Sequence, residues 1–136
     1  MRFDTKIAIA VREDLAPWQK LNVASFIAGG LVGSYPELAG ESYRDAAGRT
    51  YGKLIRQPIL IYVGSAAQLS RALRRACERG LTPSIYTSAL FATNNDEDNR
   101  AAVQQADPDA LDLVGLGLHA PRRDTDKAID GLTLHP

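Results

Sequence analysis

The chain has 136 residues, a length that suits one hydrophobic core, and the sequence therefore predicts a single domain over residues 1–136. Its 16 basic and 16 acidic side chains cancel, which argues against a dedicated nucleic-acid-binding protein, because such proteins usually carry a basic excess. One cysteine excludes an intrachain disulfide framework, and the short apolar runs argue against a signal peptide and a membrane span of about 20 residues, so we expect a cytoplasmic protein.

The first predicted elements are a buried strand and a long helix. KIAIAV (6–11) is a continuous apolar run bounded by charges, which is typical of a strand buried on both faces of a sheet. Apolar residues at helical spacing follow over 18–32 and predict a helix. Residues 35–57 contain Pro, Gly and mixed charges, and we expect an irregular segment with at most one helical turn.

The middle of the chain predicts a second strand–helix unit and a third strand. ILIYV (59–63) is another buried-strand run. Ser65 and Gln68 have the spacing of a capping box, and Gly80 suits the left-handed position that ends a helix, so a helix is expected between them. SIYTSALF (84–91) predicts the third strand.

The last third of the chain predicts a short helix, a strand and a final helix. The short helix covers 97–105 and the strand covers ALDLVGLGL (110–118). Gly115 and Gly117 fall on one face of that strand, which leaves little side-chain bulk there, so another element should pack closely or a groove should form. The final helix is expected over 124–130.

The order of these elements predicts the fold class. Alternating strands and helices indicate an α/β fold, here a three-layer α/β/α sandwich around a four-stranded mixed sheet. Ligands of such folds bind at the carboxyl ends of the strands. The loops after Val11, Val63, Tyr86 and Leu118 are therefore the expected places for a site.

Cofactor and metal motifs are missing from the sequence. No phosphate-binding loop occurs, and GLGLHA (115–120) lacks the third glycine of a dinucleotide fingerprint. His119 and His135 are the only histidines, and we expect the first to cap a strand end and the second to be a terminal residue without a ligand role. Cys77 is expected to be a buried, inert thiol. The sequence thus predicts no metal site and no cofactor.

Charge is unevenly distributed along the chain. Residues 44–79 carry eight basic and two acidic side chains, a net charge of +6, whereas residues 94–112 carry six acidic side chains and one basic, a net charge of −5. Arg71, Arg75 and Arg79 share one helical face. This face suits phosphate or nucleic acid, or is simply a solvated surface, and the two oppositely charged segments also allow self-association.

Three segments resemble known families. KIAIAVREDLAPWQKLNVASFIAGGLVG (6–33), residues 59–89 and residues 113–134 resemble, in order, the strands and helices of type 2 peptidyl-tRNA hydrolases, in which a strand ending V-R-x-D-L precedes a lysine-bearing helix. The chain is also similar to an uncharacterised bacterial family, the domain of unknown function 2000, with LFATNNDEDNR (90–100) and residues 118–136 carrying that likeness. The resemblance implies the hydrolase-type fold.

The hydrolase site is only partly retained. Lys20 falls on the hydrolase helix lysine, but the glutamine and histidine positions are occupied by Ala24 and Ile27. Where the hydrolases have an Asp-Ala-Gly-Arg-Thr stretch, this chain has residues 88–92, with Thr93 one place later. Ester hydrolysis needs a base and stabilisation of the oxyanion, and a lysine supplies only the second. An apolar cleft in this place suits a small ligand or a peptide better than a polyanion.

Three functions follow from these observations. The first is a small-ligand- or protein-binding module that forms a homodimer. The second is a divergent hydrolase of peptidyl-tRNA or another ester or amide, with Lys20 as the catalytic residue and either Asp14, as a candidate base, or the polar turn at 94–100 as its partner. The third is RNA or tRNA binding without catalysis. The expected ligand-binding side chains are Arg12, Asp14, Ser25, Ser88, Thr93 and Asn94. For Ser25 and Ser88 the alternative is a hydroxyl bonded to a backbone carbonyl.

Overall fold

Residues 2–136 are described by a computed structural model, and they form a mixed α/β fold with four α-helices, a five-stranded mixed sheet and a small two-stranded sheet. The strands are β1 (Thr5–Arg12), β2 (Tyr43–Arg44), β3 (Thr50–Tyr51), β4 (Ile59–Gly64), β5 (Ser84–Thr87), β6 (Leu113–Pro121) and β7 (Thr133–Leu134). The helices are α1 (Pro17–Ser34), α2 (Ala66–Glu78), α3 (Asp96–Gln104) and α4 (Arg122–Ala128). The strand order of the larger sheet is β5-β6-β1-β4-β7.

Strand directions fix which chain ends meet at each edge of the sheet. β1 and β4 are parallel, with Val11 opposite Val63, which confirms that the two apolar runs share a sheet. β6 lies antiparallel to both β1 and β5. The start of β6 therefore lies beside the ends of β1 and β5, at the edge of the sheet where β4 also ends. The expectation that the chain after Leu118 shares this edge is wrong, because Leu118 lies inside a strand that runs the opposite way.

A fifth strand completes the sheet, where the sequence predicted four. β7 pairs antiparallel with β4, Tyr62 lying opposite Leu134, and the His135 amide donates to the Ile61 carbonyl at 2.9 Å. Gly131, with a φ of 99°, turns the chain back after α4. A two-residue strand is too short to show the alternating pattern of a strand in the sequence, so β7 is recognised only from its pairing with β4.

Helices cover both faces of the sheet, which gives the predicted layers. Ala8 and Ala10 of β1 belong to a core cluster with α2 and α4, whereas Ile7, Ile9 and Val11 belong to a second cluster with α1. The two clusters alternate along one strand because successive side chains of a strand point to opposite faces.

The β6 glycines bring α1 close to the sheet. A Cβ atom added at Gly115 would lie 2.2 Å from Val23 Cγ1, and one added at Gly117 would lie 2.2 Å from Ile27 Cγ2. The prediction that another element packs closely at these glycines is confirmed. Ile27 fills this space and is buried in the core.

The third strand is shorter than predicted. β5 ends at Thr87 and residues Ser88–Ala92 form a 3-10 helix instead of continuing to residue 91. The pairing with β6 shifts register between Tyr86 and Thr87, and the Ser88 amide donates to the Asp112 carbonyl at 2.9 Å. The end of β5 is thus set by its pairing with β6, which local composition does not encode, and residues 88–92 are not part of the sheet.

Helix α2 begins as predicted but exposes its cysteine. The Ser65 hydroxyl accepts from the Gln68 amide at 3.2 Å and the Gln68 side chain accepts from the Ser65 amide at 2.8 Å, so the capping box is confirmed. Gly80 adopts a φ of 75° after the helix end. The expectation of a buried thiol is wrong, because Ala76 is buried and Cys77, about 100° further around the helix, is exposed. None of the helices described within residues 2–136 has the length and apolarity needed to cross a bilayer.

Candidate functional site

A cleft of about 340 Å³ lies between the first half of α1, the 3-10 helix after β5 and the start of α3. Its aromatic lining is Trp18, Phe26, Tyr86 and Phe91. Its polar lining is Asn22, Thr93, Asn94, Asn95, Asp96 and Asn99. Concave, mostly apolar sites with a few convergent polar groups are the usual form of a small-ligand pocket.

The four aromatic rings form a continuous chain along the cleft. Ring centroids lie 5.8 Å apart for Trp18 and Phe91, 5.1 Å for Phe91 and Tyr86, and 5.7 Å for Tyr86 and Phe26. Trp18 and Phe26 are nevertheless 62% and 57% exposed. Exposed rings that are fixed by aromatic neighbours present a preorganised apolar surface to a ligand.

Helix geometry explains why α1 supplies one wall of this cleft. Trp18, Asn22 and Phe26 are spaced by four residues, so they lie along one flank of the helix. The buried residues Val23 and Ile27 lie on the face that packs on β6. Trp18 is one of the apolar residues whose helical spacing predicted α1, and the structure places it on the flank that lines the cleft.

Several polar groups of the cleft are already engaged. The Thr93 hydroxyl hydrogen-bonds with the Leu90 carbonyl at 3.0 Å and with the Asn99 side chain. The Asn95 side chain caps α3 by accepting from the Asp98 amide at 2.8 Å. These bonds hold the cleft wall in place, because each fixes the 3-10 helix or its junction with α3.

Asn22 and Tyr86 form the remaining polar pair. Asn22 Nδ2 donates to the Tyr86 hydroxyl oxygen at 3.3 Å. Burial raises the pKa of Tyr86 above its usual value, and the bond from Asn22 only partly offsets this. Tyr86 therefore stays a neutral phenol at physiological pH and keeps its hydroxyl proton.

The predicted ligand-binding residues do not all lie together. Thr93 and Asn94 line the cleft. Ser25 does not, and its hydroxyl donates to the Leu21 carbonyl at 2.7 Å, which is the alternative that the sequence left open for this serine.

Arg12, Asp14 and Ser88 form a separate cluster with Asp112, a residue that sequence reasoning did not select. Arg12 Nε lies 2.7 Å from Asp14 Oδ1, and Arg12 Nη1 lies 2.5 Å from Asp112 Oδ1. The pKa of Asp112 is held below its usual value, chiefly by the Ser88 side chain as a hydrogen-bond donor and secondly by Arg12. The cluster ties the end of β1 to the start of β6, and its charges are paired within it.

Lys20 contacts His135 and does not line the cleft. Lys20 Nζ lies 3.1 Å from His135 Nε2, and neither residue lines the cleft. Lys20 points about 200° around α1 from both Trp18 and Asn22. The sequence offered no signal for this contact, because it depends on the two-residue strand β7, which brings the end of the chain to the α1 face.

His119 lies at the opposite edge of the sheet from the cleft. It is part of β6 rather than a strand cap, and its Nε2 lies 3.0 Å from Thr5 Oγ1. Its ring packs edge-on to Tyr35, with centroids 4.7 Å apart. Burial lowers the pKa of His119, and the charge of Glu37 opposes this shift only partly.

The lowered pKa of His119 predicts a loss of stability in acid. As the pH falls through the usual histidine range near 6.5, the unfolded chain gains a proton before the folded chain does, so folding stability decreases until the folded pKa is also passed. We expect His119→Gln to flatten urea-unfolding stability between pH 7.5 and pH 5. Wild type, measured over the same pH range, is the reference. Equal slopes for wild type and His119→Gln would contradict the assignment.

The arginine face of α2 is used within the molecule. Arg79 Nε lies 3.0 Å from Asp124 Oδ1, and Arg75 donates to the Asp130 carbonyl at 2.8 Å. These contacts connect α2 to α4 and its following turn.

Metal ligands do not assemble within residues 2–136, where no group of three or more His, Cys, Asp or Glu side chains could hold an ion.

Comparisons with known proteins identify relatives of unknown function. None of the curated proteins matches the chain. A solved structure of a protein of unknown function from Agrobacterium tumefaciens strain C58 has a TM-score of 0.96 and 42% sequence identity, covering 99% of this chain and 100% of that one. A family profile described as protein of unknown function (DUF2000) matches residues 5–136. The chain therefore belongs to the DUF2000 family.

Proposed function

We propose that the protein binds a small ligand with a planar ring in the cleft between α1 and α3. The observation that carries this proposal is the chain of four contacting aromatic rings, two of them more than half exposed, beside the Asn22–Tyr86 pair. Rings of this kind supply large contact area at low entropic cost, and a few polar groups then fix the ligand orientation.

The charges near the cleft favour an uncharged or cationic ligand over a polyanion. Three carboxylates, Asp96, Glu97 and Asp98, occupy the first turn of α3, and Asp96 lines the cleft. Arg100 pairs with Asp96, so these four side chains leave a net charge of −2. They would repel a phosphate group or a nucleic-acid backbone. The α1 wall adds no cation, because Lys20 points to its other flank.

The fold part of the proposal is a type 2 peptidyl-tRNA hydrolase-like sandwich. Its support is the V-R-x-D-L stretch that closes β1, the lysine early in α1 and the parallel pairing of β1 with β4. In this scheme the hydrolase helix histidine is replaced by the core residue Ile27, and the later segment contributes Phe91 to the aromatic lining. Ligand binding replaces hydrolysis as the role of the fold.

The proposal is tested by a fluorescence and thermal-shift screen. Trp18 is the only tryptophan, so intrinsic fluorescence reports directly on the cleft. Purified protein would be screened against nucleosides, aromatic amino acids and ring-containing cofactors. A ligand at about 100 times its dissociation constant should raise stability by about 2.7 kcal/mol and change the Trp18 emission. Stabilising ligands that leave Trp18 emission unchanged, or no ring-bearing ligand at all, would contradict the proposal.

A divergent hydrolase is the second candidate, and the Lys20–His135 contact favours it. An imidazole is a suitable general base, and the lysine side chain beside it supplies hydrogen-bond donors for an oxyanion. In this case hydrolysis of a p-nitrophenyl ester by the purified protein should fall at least 100-fold in both Lys20→Ala and His135→Ala, because each removes one required group. Lys53→Ala, an exposed lysine elsewhere, is the control. Activity that is absent, or that survives both substitutions, eliminates this candidate.

RNA binding without catalysis has weaker support. Two of the three arginines on the shared face of α2, Arg75 and Arg79, already contact α4 or its following turn. Phosphate contacts are strongest at low ionic strength, so an RNA-binding protein should bind tRNA at about 50 mM salt. No binding under this condition would eliminate the RNA-binding candidate.

A further inference from the structure

The Asn22–Tyr86 pair has unused hydrogen-bonding capacity. Asn22 Nδ2 donates to the Tyr86 hydroxyl oxygen, and neither Asn22 Oδ1 nor the Tyr86 hydroxyl proton has another side-chain or backbone partner within residues 2–136. One acceptor, Asn22 Oδ1, and two donors, the second Nδ2 hydrogen and the phenol proton, are therefore free. If the Asn22 amide is turned over, the phenol donates to Oδ1, and the free groups become the two amide hydrogens and a phenol lone pair. Either arrangement leaves at least one donor beside one acceptor.

Aromatic rings surround this free donor–acceptor pair. Trp18 precedes Asn22 by one helical turn and Phe26 follows it by one turn, on the same flank of α1. Phe91 contacts both Trp18 and Tyr86. Tyr86 itself is only 5% exposed and lines the cleft. A ligand ring that displaces water here must pair with these free groups, since leaving a buried polar group unpaired is destabilising.

We propose that the ligand is an uncharged heteroaromatic compound with a lactam edge, an N–H beside a C=O on the same ring. This inference rests on the proposed function and names its ligand class. The ligand N–H would donate to Asn22 Oδ1, and the Tyr86 hydroxyl would donate to the ligand carbonyl oxygen. The ring would stack on one of the Trp18 and Phe91 rings and meet the other edge-on, because the planes of these two rings lie at 68° to each other. The first turn of α3 keeps a net negative charge with Arg100 paired to Asp96 and repels phosphate, so the class is the free base or nucleoside, not the nucleotide.

Matched nucleoside pairs test this inference. Isothermal titration calorimetry would compare inosine with 1-methylinosine and uridine with 3-methyluridine, since each methyl group replaces the lactam N–H on an otherwise identical ring. Inosine or uridine should bind at least tenfold more tightly than its methylated partner. Tyr86→Phe should lower affinity for the parent nucleoside about tenfold, because it removes the donor to the ring carbonyl. Tyr43→Phe, an exposed tyrosine of the β2–β3 hairpin, is the control variant.

The outcomes separate this inference from the proposed function. Equal affinities within both pairs, unaffected by Tyr86→Phe but lost in Trp18→Ala, would overturn the lactam inference while leaving ring binding in the cleft intact. The lactam inference would also be overturned, and ring binding retained, if none of the four nucleosides bound while another ring-bearing compound from the screen changed the Trp18 emission. Failure of every ring-bearing compound would overturn both.

Discussion

Gly117→Ala is expected to lower the free energy of unfolding by about 1–3 kcal/mol, the range found for overpacked cores. The new methyl carbon would lie 2.2 Å from Ile27 Cγ2, a branched side chain held in the core between α1 and β6. The strand and helix would have to separate to accept it. Urea unfolding at constant m-value measures the loss, which Gly115→Ala should share because of its contact with Val23.

Two further variants make this prediction specific to close packing. Gly33→Ala lies in α1 with nothing within 4 Å of the added carbon, so it should stabilise the chain by up to about 1 kcal/mol through helix propensity. In the double variant Gly117→Ala, Ile27→Ala, the clash is removed, so the combined cost should be well below the sum of the single costs. Strictly additive costs would show that Gly117 and Ile27 do not compete for the same space.

Trp18→Ala is expected to weaken binding of the cleft ligand roughly five- to 150-fold, since stacking of a ring on an aromatic side chain contributes about 1–3 kcal/mol. The free energy of unfolding should change little, because Trp18 is 62% exposed. Calorimetry measures the affinity, as this variant has no tryptophan emission.

Leu21→Ala is the matched control for Trp18. Leu21 is a large apolar residue of the same helix, 71% exposed, and does not line the cleft. Its loss should leave affinity unchanged. An equal loss of affinity in both variants would place the ligand on the outer surface of α1 instead of in the cleft.

The parts of the fold that could be predicted from sequence are those with local signals. β1 and β4 are continuous apolar runs, and α2 has a capping box at Ser65 and a left-handed glycine at its end. The parts that could not be predicted depend on partners distant in sequence. β7 exists only because it pairs with β4, and the end of β5 at Thr87 is set by a register shift against β6.

The candidate site could be predicted less completely than the fold. Thr93 and Asn94 lie in the cleft, but Trp18 and Asn22 were not selected. A signal for them existed in the spacing of Trp18, Asn22 and Phe26, which places two rings and an amide on one uncharged flank of α1. The sequence does not reveal that this flank is open, because that depends on where the segment around Phe91 leaves the sheet. The Lys20–His135 contact had no such signal.

The central claim, that a planar ligand occupies the cleft between α1 and α3, is tested most directly by two-dimensional ¹H–¹⁵N NMR of the full chain during titration with the best ligand of the screen. The account predicts that the single indole N–H resonance of Trp18 shifts, together with amides of Asn22, Tyr86, Phe91 and Asn94. Shifts confined to the surroundings of Lys20 and His135, or to the arginine face of α2, with the Trp18 indole unchanged, would contradict it.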